Sequence, residues 1–205
     1  MGTDVVFRET KPLMVLKYGE EITARVINNA VMRYHELLLI HASEIKEIRK
    51  HTAGVIYPVI ALYEAMQKEG IPKEEALEFL DWSCCKRAKK EAEYIQFVLL
   101  IPGLYKLMPR LFRRATKKKY SGTAGFEEIT YEAGKTRVRF DMTKCLYCDL
   151  CKEHNMPELA ICFCHAANVK KGNMHPKLKW NRSKTLGEGA DCCDFELFVR
   201  SAEDK

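Results

Sequence analysis

The apolar residues of this chain change their spacing once, near Gly125, and that change limits what the chain can fold into. Before it, Ile22, Val26, Ala30, Tyr34, Leu37, His41, Ile45 and Ile48 recur every third or fourth position from Glu20 to Lys50. That spacing is one face of a long amphipathic helix, and Glu36, Glu44, Lys46, Glu47 and Arg49 fill the other face. His41 falls in the apolar stripe and is expected as a hydrogen-bonded core histidine. Gly54 interrupts the pattern, and a second helix follows over Val55 to Lys68 with Pro58 in its first turn. Gly70 ends it, and Ile71-Pro72-Lys73-Glu74-Glu75-Ala76 reads as the start of a third. The adjacent Cys84 and Cys85 on that helix read as packing residues. Helical spacing continues to Ile101, Pro102-Gly103 breaks it, and Leu104 to Lys119 forms a basic amphipathic helix.

After the small-residue linker Ser121 to Gly125 the period shortens to two. Phe126 to Tyr131 and Thr136 to Met142 alternate around Ala133-Gly134 as a hairpin. Val138 and Phe140 share the buried face, opposite Arg137, Arg139 and Asp141. Helices are expected over Lys144 to His154 and from Pro157 to His165, and strands over Lys177 to Trp180 and Asp194 to Arg200. The fold class is therefore α+β: a helical N-terminal half followed by a small antiparallel β-sheet with packed helices. Residues 1–120 form the helical region and residues 121–205 an α+β, cysteine-rich region, together one compact unit.

A chain of 205 residues can bury a sizeable core without disulfide staples. The formal net charge is +6, much of it in Arg113-Arg114-Ala115-Thr116-Lys117-Lys118-Lys119, which reads as a solvated helix end. No signature of nucleic-acid recognition accompanies that run, so no nucleic-acid partner is expected. Met1 to Tyr18 has no uninterrupted apolar run of the signal-peptide kind. Phe97 to Ile101 falls far short of the roughly 20 apolar residues that span a bilayer, so no integral membrane segment is expected. A cytoplasmic protein is the expectation, and an oligomer is compatible with it. Thiols stay reduced there, so nine cysteines point to catalysis, metal binding or burial rather than disulfides.

Seven of the nine cysteines lie between Cys145 and Phe195, and they admit three readings. Cys145-Leu146-Tyr147-Cys148-Asp149-Leu150-Cys151 has the C-x2-C-x2-C spacing of iron–sulfur proteins but lacks the following cysteine–proline. Cys145, Cys148 and Cys151, with Cys164 or His165, can instead close a tetrahedral zinc site. The second reading is nucleophilic catalysis, which needs a thiolate and hence a cation, a histidine or a helix N-terminus to lower a pKa of about 8.5. Cys164, beside His165, and Cys193, beside Asp194, are the candidates. Arg182 is suited to a bidentate grip on a substrate carboxylate and Thr185 to a hydroxyl hydrogen bond. Gly187 and Gly189 let the backbone approach a ligand. The third reading is burial, which suits Cys148, Cys151 and Cys162 best.

Arg182-x-x-Thr185-Leu186-Gly187-x-Gly189-x-x-x-Cys193-Asp194-Phe195 resembles the closing motif of the L-2-amino-thiazoline-4-carboxylic acid hydrolase family. Cys145-x-Tyr147, Met156-Pro157-Glu158-Leu159 and Cys164 resemble the approach to it. Tyr57, Gly70-Ile71 and Glu74-Glu75-Ala76 match more loosely. The chain departs from the pattern after Cys164, where Ala166-Ala167-Asn168 stands in place of an acidic residue, so no acid/base role is placed there. The resemblance implies a hydrolase acting on the C–N or C–S bonds of a cyclic amidine, opening the thiazoline ring toward carbamoyl-cysteine. It implies a small-molecule substrate with a carboxylate, bound by Arg182, Thr185, Gly187 and Gly189. Cys164 or Cys193 would be the nucleophile, with Asp194 or His165 in support, and no cofactor. Zinc or an iron–sulfur cluster belongs to the alternative, a metal-binding protein, and a small-molecule sensor is a third possibility.

Overall fold

The structure is a computed structural model and describes residues 3–201. Two compact units form, Met1–Ser83 and Cys84–Lys205. The change of spacing near Gly125 falls inside the second unit, because the basic helix before it packs on the sheet after it.

The first unit is helical. Helix α1 runs over Thr3–Ile40 and contains Gly19 at φ 77°, a kink that splits it into two helical arms. The apolar stripe holds through Val26, Ala30, Tyr34 and Leu37, all buried. It fails beyond them: α1 stops at Ile40, and His41 lies in the following turn, half-buried against Tyr57 at 5.1 Å between rings. Helix α2 covers Lys46–His51, and a π-helical turn, Thr52–Ile56, joins it to α3, Tyr57–Lys68. Gly54 sits inside that turn, so the chain bends there without a break. Tyr57, Ile60, Leu62 and Met66 of α3 are fully buried. Helix α4, Lys73–Val98, begins in the first unit and ends in the second.

The second unit is a four-stranded antiparallel sheet in the order β1-β2-β4-β3. Its strands are β1 Glu127–Ala133, β2 Arg137–Lys144, β3 Leu178–Asn181 and β4 Cys193–Val199. Helices α5, Met108–Lys119, α6, Leu146–Glu153, and α7, Ala160–Gly172, complete it. Pairing of Val138 with Leu197, Phe140 with Phe195 and Met142 with Cys193 builds one buried face. Phe112 of α5 covers that face, 6.3 Å from the Phe140 ring and 5.8 Å from Trp180. Arg113 is tied to Glu128 of β1 at 3.0 and 2.6 Å, which fixes α5 against the sheet. Trp180 Nε1 donates to Asn168 Oδ1 at 2.8 Å and ties β3 to α7. Among the described residues no helix is long and apolar enough to cross a membrane.

Candidate active site

Strand β2 ends at Lys144, Cys145 is the N-cap of α6, and the helix begins at Leu146. The Cys145 carbonyl accepts the first helical bond, from Asp149 N–H at 3.0 Å. Its sulfur closes no capping bond of ordinary geometry. The Cys148 thiol nonetheless hydrogen-bonds toward it, and the Cys148 and Tyr147 amides point their positive ends at it. Together they outweigh burial and hold the Cys145 pKa below the ordinary thiol value. Cys148 is pushed up by the same hydrogen bond and by burial, so it keeps the proton the pair shares. Tyr147 is stacked edge-on against Phe163 at 5.0 Å, which walls this side of the pair.

Cys164 lies on α7, and burial pushes its thiol up even though the Thr185 hydroxyl, Arg182 and the Gly187 amide favour the thiolate. Arg182 Nη1 donates to the Cys164 carbonyl at 3.0 Å. A Cβ at Gly187 would lie 2.8 Å from Cys164 Sγ, so any larger residue there requires the thiol to move. Thr185 is buried and caps the short 3₁₀ turn Leu186–Glu188. Its oxygen accepts from Glu188 N–H at 3.1 Å, and its hydroxyl donates to the Glu188 carboxylate at 2.9 Å, so both groups of Glu188 are held by the one side chain. Cys193 accepts from the Leu186 amide at 3.2 Å, and burial drives its pKa to about 12. Cys145, Cys148, Cys164 and Cys193 lie within electrostatic range of one another.

Other expected residues stand elsewhere. Asp194 follows Cys193 in a strand, so it faces the opposite side of the sheet. There its carboxylate accepts from Ser183 N–H at 2.9 Å, Ser183 Oγ at 2.6 Å and Lys184 N–H at 2.8 Å. Partial burial opposes its charge, and these donors prevail, holding the carboxyl below its ordinary range. Asp194 therefore anchors the loop after β3 instead of adjoining a thiol. Gly189 has φ 88° and open space around it, so its role is the left-handed turn rather than close approach to a ligand. His165 is half-buried and one helical position from Cys164, where side chains diverge by about 100°. Among the described residues no group of three or more His, Cys, Asp or Glu side chains could hold a metal ion. Within the C-x2-C-x2-C run Cys145 and Cys148 pair with each other, and Cys151 is buried.

Two features had weak or no signal in the residue pattern. Cys145 as the favoured thiolate was open to reading from a C-x-x-C that follows a strand and opens a helix. Lys171 was not: beside Lys170 it looks like a solvated helix end. Its amine instead lies 4.5 Å from the Phe195 ring, 4.7 Å from Trp180 and 5.7 Å from Phe112. Burial, with Arg182 and Lys119 nearby, lowers it from 10.5 to about 7. Arg182 also borders an open groove of about 590 Å³, shared with Asn168, Asn173, Trp180, Ser183 and Asp194.

The sequence profile described as L-2-amino-thiazoline-4-carboxylic acid hydrolase matches residues 49–197, most of the chain and all of this site. The chain belongs to the L-2-amino-thiazoline-4-carboxylic acid hydrolase family. The matched range contains Cys145, Cys164, Arg182, Thr185, Gly187 and Cys193, all of which lie in the second unit. Comparison with curated proteins returns no match. Among solved structures, the unliganded Fe(II) H-NOX protein of K. algicida is similar at a TM-score of 0.41 and 10% identity, over 97% of each chain. The H-NOX protein of S. oneidensis in the Fe(II)NO state has a TM-score of 0.29 and 13% identity, over 98% of this chain and 100% of its own. Likeness at that level says nothing of the activity of this thiazoline-hydrolase family member.

Proposed function

We propose that the chain is a cysteine-dependent hydrolase that opens a carboxylate-bearing thiazoline of the kind the family is named for. The observation that carries the reading is the gathering of the family's cysteines around Arg182, Thr185 and the Leu186–Gly187 amides. Cys145 is the nucleophile in this reading, since it alone among the gathered thiols is held below its ordinary pKa. Cys164 and Cys193, the first expectations, are pushed up by burial and form the wall of the site.

The Cys145 thiolate adds to the ring carbon that carries two nitrogens and the sulfur. The ring C–S bond breaks, the departing sulfur takes the proton that Cys148 held, and the carbon remains on Cys145 as an isothiourea. Water then adds to that carbon and the Cys145–carbon bond breaks. One water proton goes to the ring-derived nitrogen and the other returns to Cys148, which releases carbamoyl-cysteine. Arg182 has N–H donors beyond the one given to the Cys164 carbonyl, and these bind the substrate carboxylate.

The test is to incubate the protein with 2-amino-thiazoline-4-carboxylate and follow released thiol and carbamoyl product. Cys145→Ser is expected to lower turnover by at least about a hundredfold, and Arg182→Gln to raise KM about tenfold with kcat little changed. No ring opening by folded wild-type protein would sink the hydrolase reading. Full turnover by Cys145→Ser would move the nucleophile elsewhere.

A further inference from the structure

Cys145 and Cys148 are placed as a dithiol as well as a nucleophile and its proton partner. The order strand β2, C-x-x-C, helix α6 sets one cysteine at the N-cap and the other in the first turn. Positions three apart on a helix bring Cβ atoms within about 5–6 Å, a separation a small shift can bridge with a disulfide. The two thiols differ in access: Cys145 is half-buried, whereas Cys148 is only 5% exposed. An incoming reagent therefore meets Cys145 first, and Cys148 waits behind it. Cys164 is shielded differently, with the Gly187 backbone against its sulfur, and Cys193 is buried.

We infer that Cys145 and Cys148 form a redox-active dithiol that exchanges with the disulfide of a small thiol and closes into an intramolecular disulfide. The Cys145 thiolate attacks one sulfur of R–S–S–R. That S–S bond breaks, a mixed disulfide forms on Cys145, and one R–S⁻ leaves. Cys148 loses its proton and its sulfur attacks Cys145, which expels the second R–S⁻. In net, the dithiol gives up two electrons and two protons, and the small disulfide takes them up as two R–SH. The helix N-terminus favours the attacking thiolate, and the sheltered position of Cys148 keeps bulky disulfides from resolving there. The inference stands apart from the hydrolase reading and meets it at Cys145, because closure removes the nucleophile.

The experiment treats the reduced full-length protein with oxidised glutathione, quenches, alkylates the remaining thiols and maps the peptides by mass. The expected result is the loss of two alkylatable thiols, Cys145 and Cys148, joined to each other and restored by dithiothreitol. Cys148→Ser should stop at a single glutathione adduct on Cys145. Cys145→Ser should slow adduct formation at Cys148 by about a hundredfold or more. Oxidation of Cys85, Cys164 or Cys193 ahead of this pair, or a pair that stays fully alkylatable, overturns the proposal. The wild-type map decides alone if either variant fails to fold. Reduced protein that opens no thiazoline ring overturns the hydrolase reading and leaves the map untouched. Reduced protein that does so and stops on oxidation joins the two.

Discussion

The two units treat buried charge in opposite ways. In Met1–Ser83, Glu44 takes hydrogen bonds from Thr52 at 2.6 Å and from Tyr57 at 2.5 Å. Glu69 takes them from Arg25 at 2.7 Å and Asn29 at 2.9 Å, and Arg33 meets Glu64 at 2.5 Å. The outer face of the second unit follows the same rule, with Arg137 on Glu196. Its covered face does not. There Lys171 has aromatic rings around it and no carboxylate partner among the described residues, and the thiols Cys145, Cys164 and Cys193 stand in one field. Charges paired across helices hold them in register. Groups closed off from water and from carboxylates keep displaced pKa values, which is where reactive groups are found.

The comparison breaks most easily at glycine. Gly187→Ala forces a Cβ to 2.8 Å from Cys164 Sγ, whereas a Cβ at Gly54 in the first unit meets nothing within 4 Å. Urea unfolding should show a loss of up to about 3 kcal/mol for Gly187→Ala. The same measurement should show a gain of about 0.4–1 kcal/mol for Gly54→Ala. Equal effects at the two sites would mean that the sulfur is not held against the backbone.

Asp194 sharpens the contrast between the two faces of β4. Asp194→Ala removes three accepted hydrogen bonds and should cost about 2 kcal/mol. Because the folded carboxyl is held below its ordinary 3.8, its contribution is present above that pH and is lost as pH falls through the folded value. The acid limb of the stability profile should therefore flatten in the variant. The rate at which Cys145 reacts with a thiol reagent should stay as it was; a large change would place the carboxylate on the thiol side.

The smallest effect concerns Lys171. Its folded pKa of about 7 lies below the ordinary 10.5, so from pH 7 upward the unfolded chain binds more protons and stability rises with pH. Lys171→Met should remove that rise, about 1.5 kcal/mol between about pH 7 and 8.5. Buried thiols with raised pKa values work in the other direction at higher pH, so the difference between wild type and variant is read below pH 9. Parallel profiles would show that the amine stays charged and hydrated.

Much of the fold was legible in the residue pattern because burial follows period. The alternation of Val138 and Phe140 against Arg139 and Asp141 holds in β2, and the helical spacing holds through Leu37. It misled where a turn overrode it. Ile45 and Ile48 continue the spacing on paper, yet α1 stops at Ile40 and the chain restarts at Lys46. Gly54 looked like a break and lies within a π-helical turn. The place of Asp194 was within reach: Cys193, Asp194 and Phe195 sit in a strand, and a period of two puts the carboxylate opposite both neighbours.

The sequence by itself determined the fold class, the strands and helices of the second unit, and the family, because spacing and local motifs carry that information. Only the tertiary structure decided which thiol is held below its ordinary pKa and which amine is enclosed by aromatic rings. Cys145 is favoured by the hydrogen bond from Cys148 and by the amides of its helix end, and Cys164 and Cys193 are disfavoured by what covers them. Lys171 differs from Lys170 only in what lies above it: Phe112, Trp180 and Phe195 close over one amine, and the other meets Glu91. A pKa depends on solvent and neighbours in three dimensions, and those neighbours come from three other elements, α5, β3 and β4.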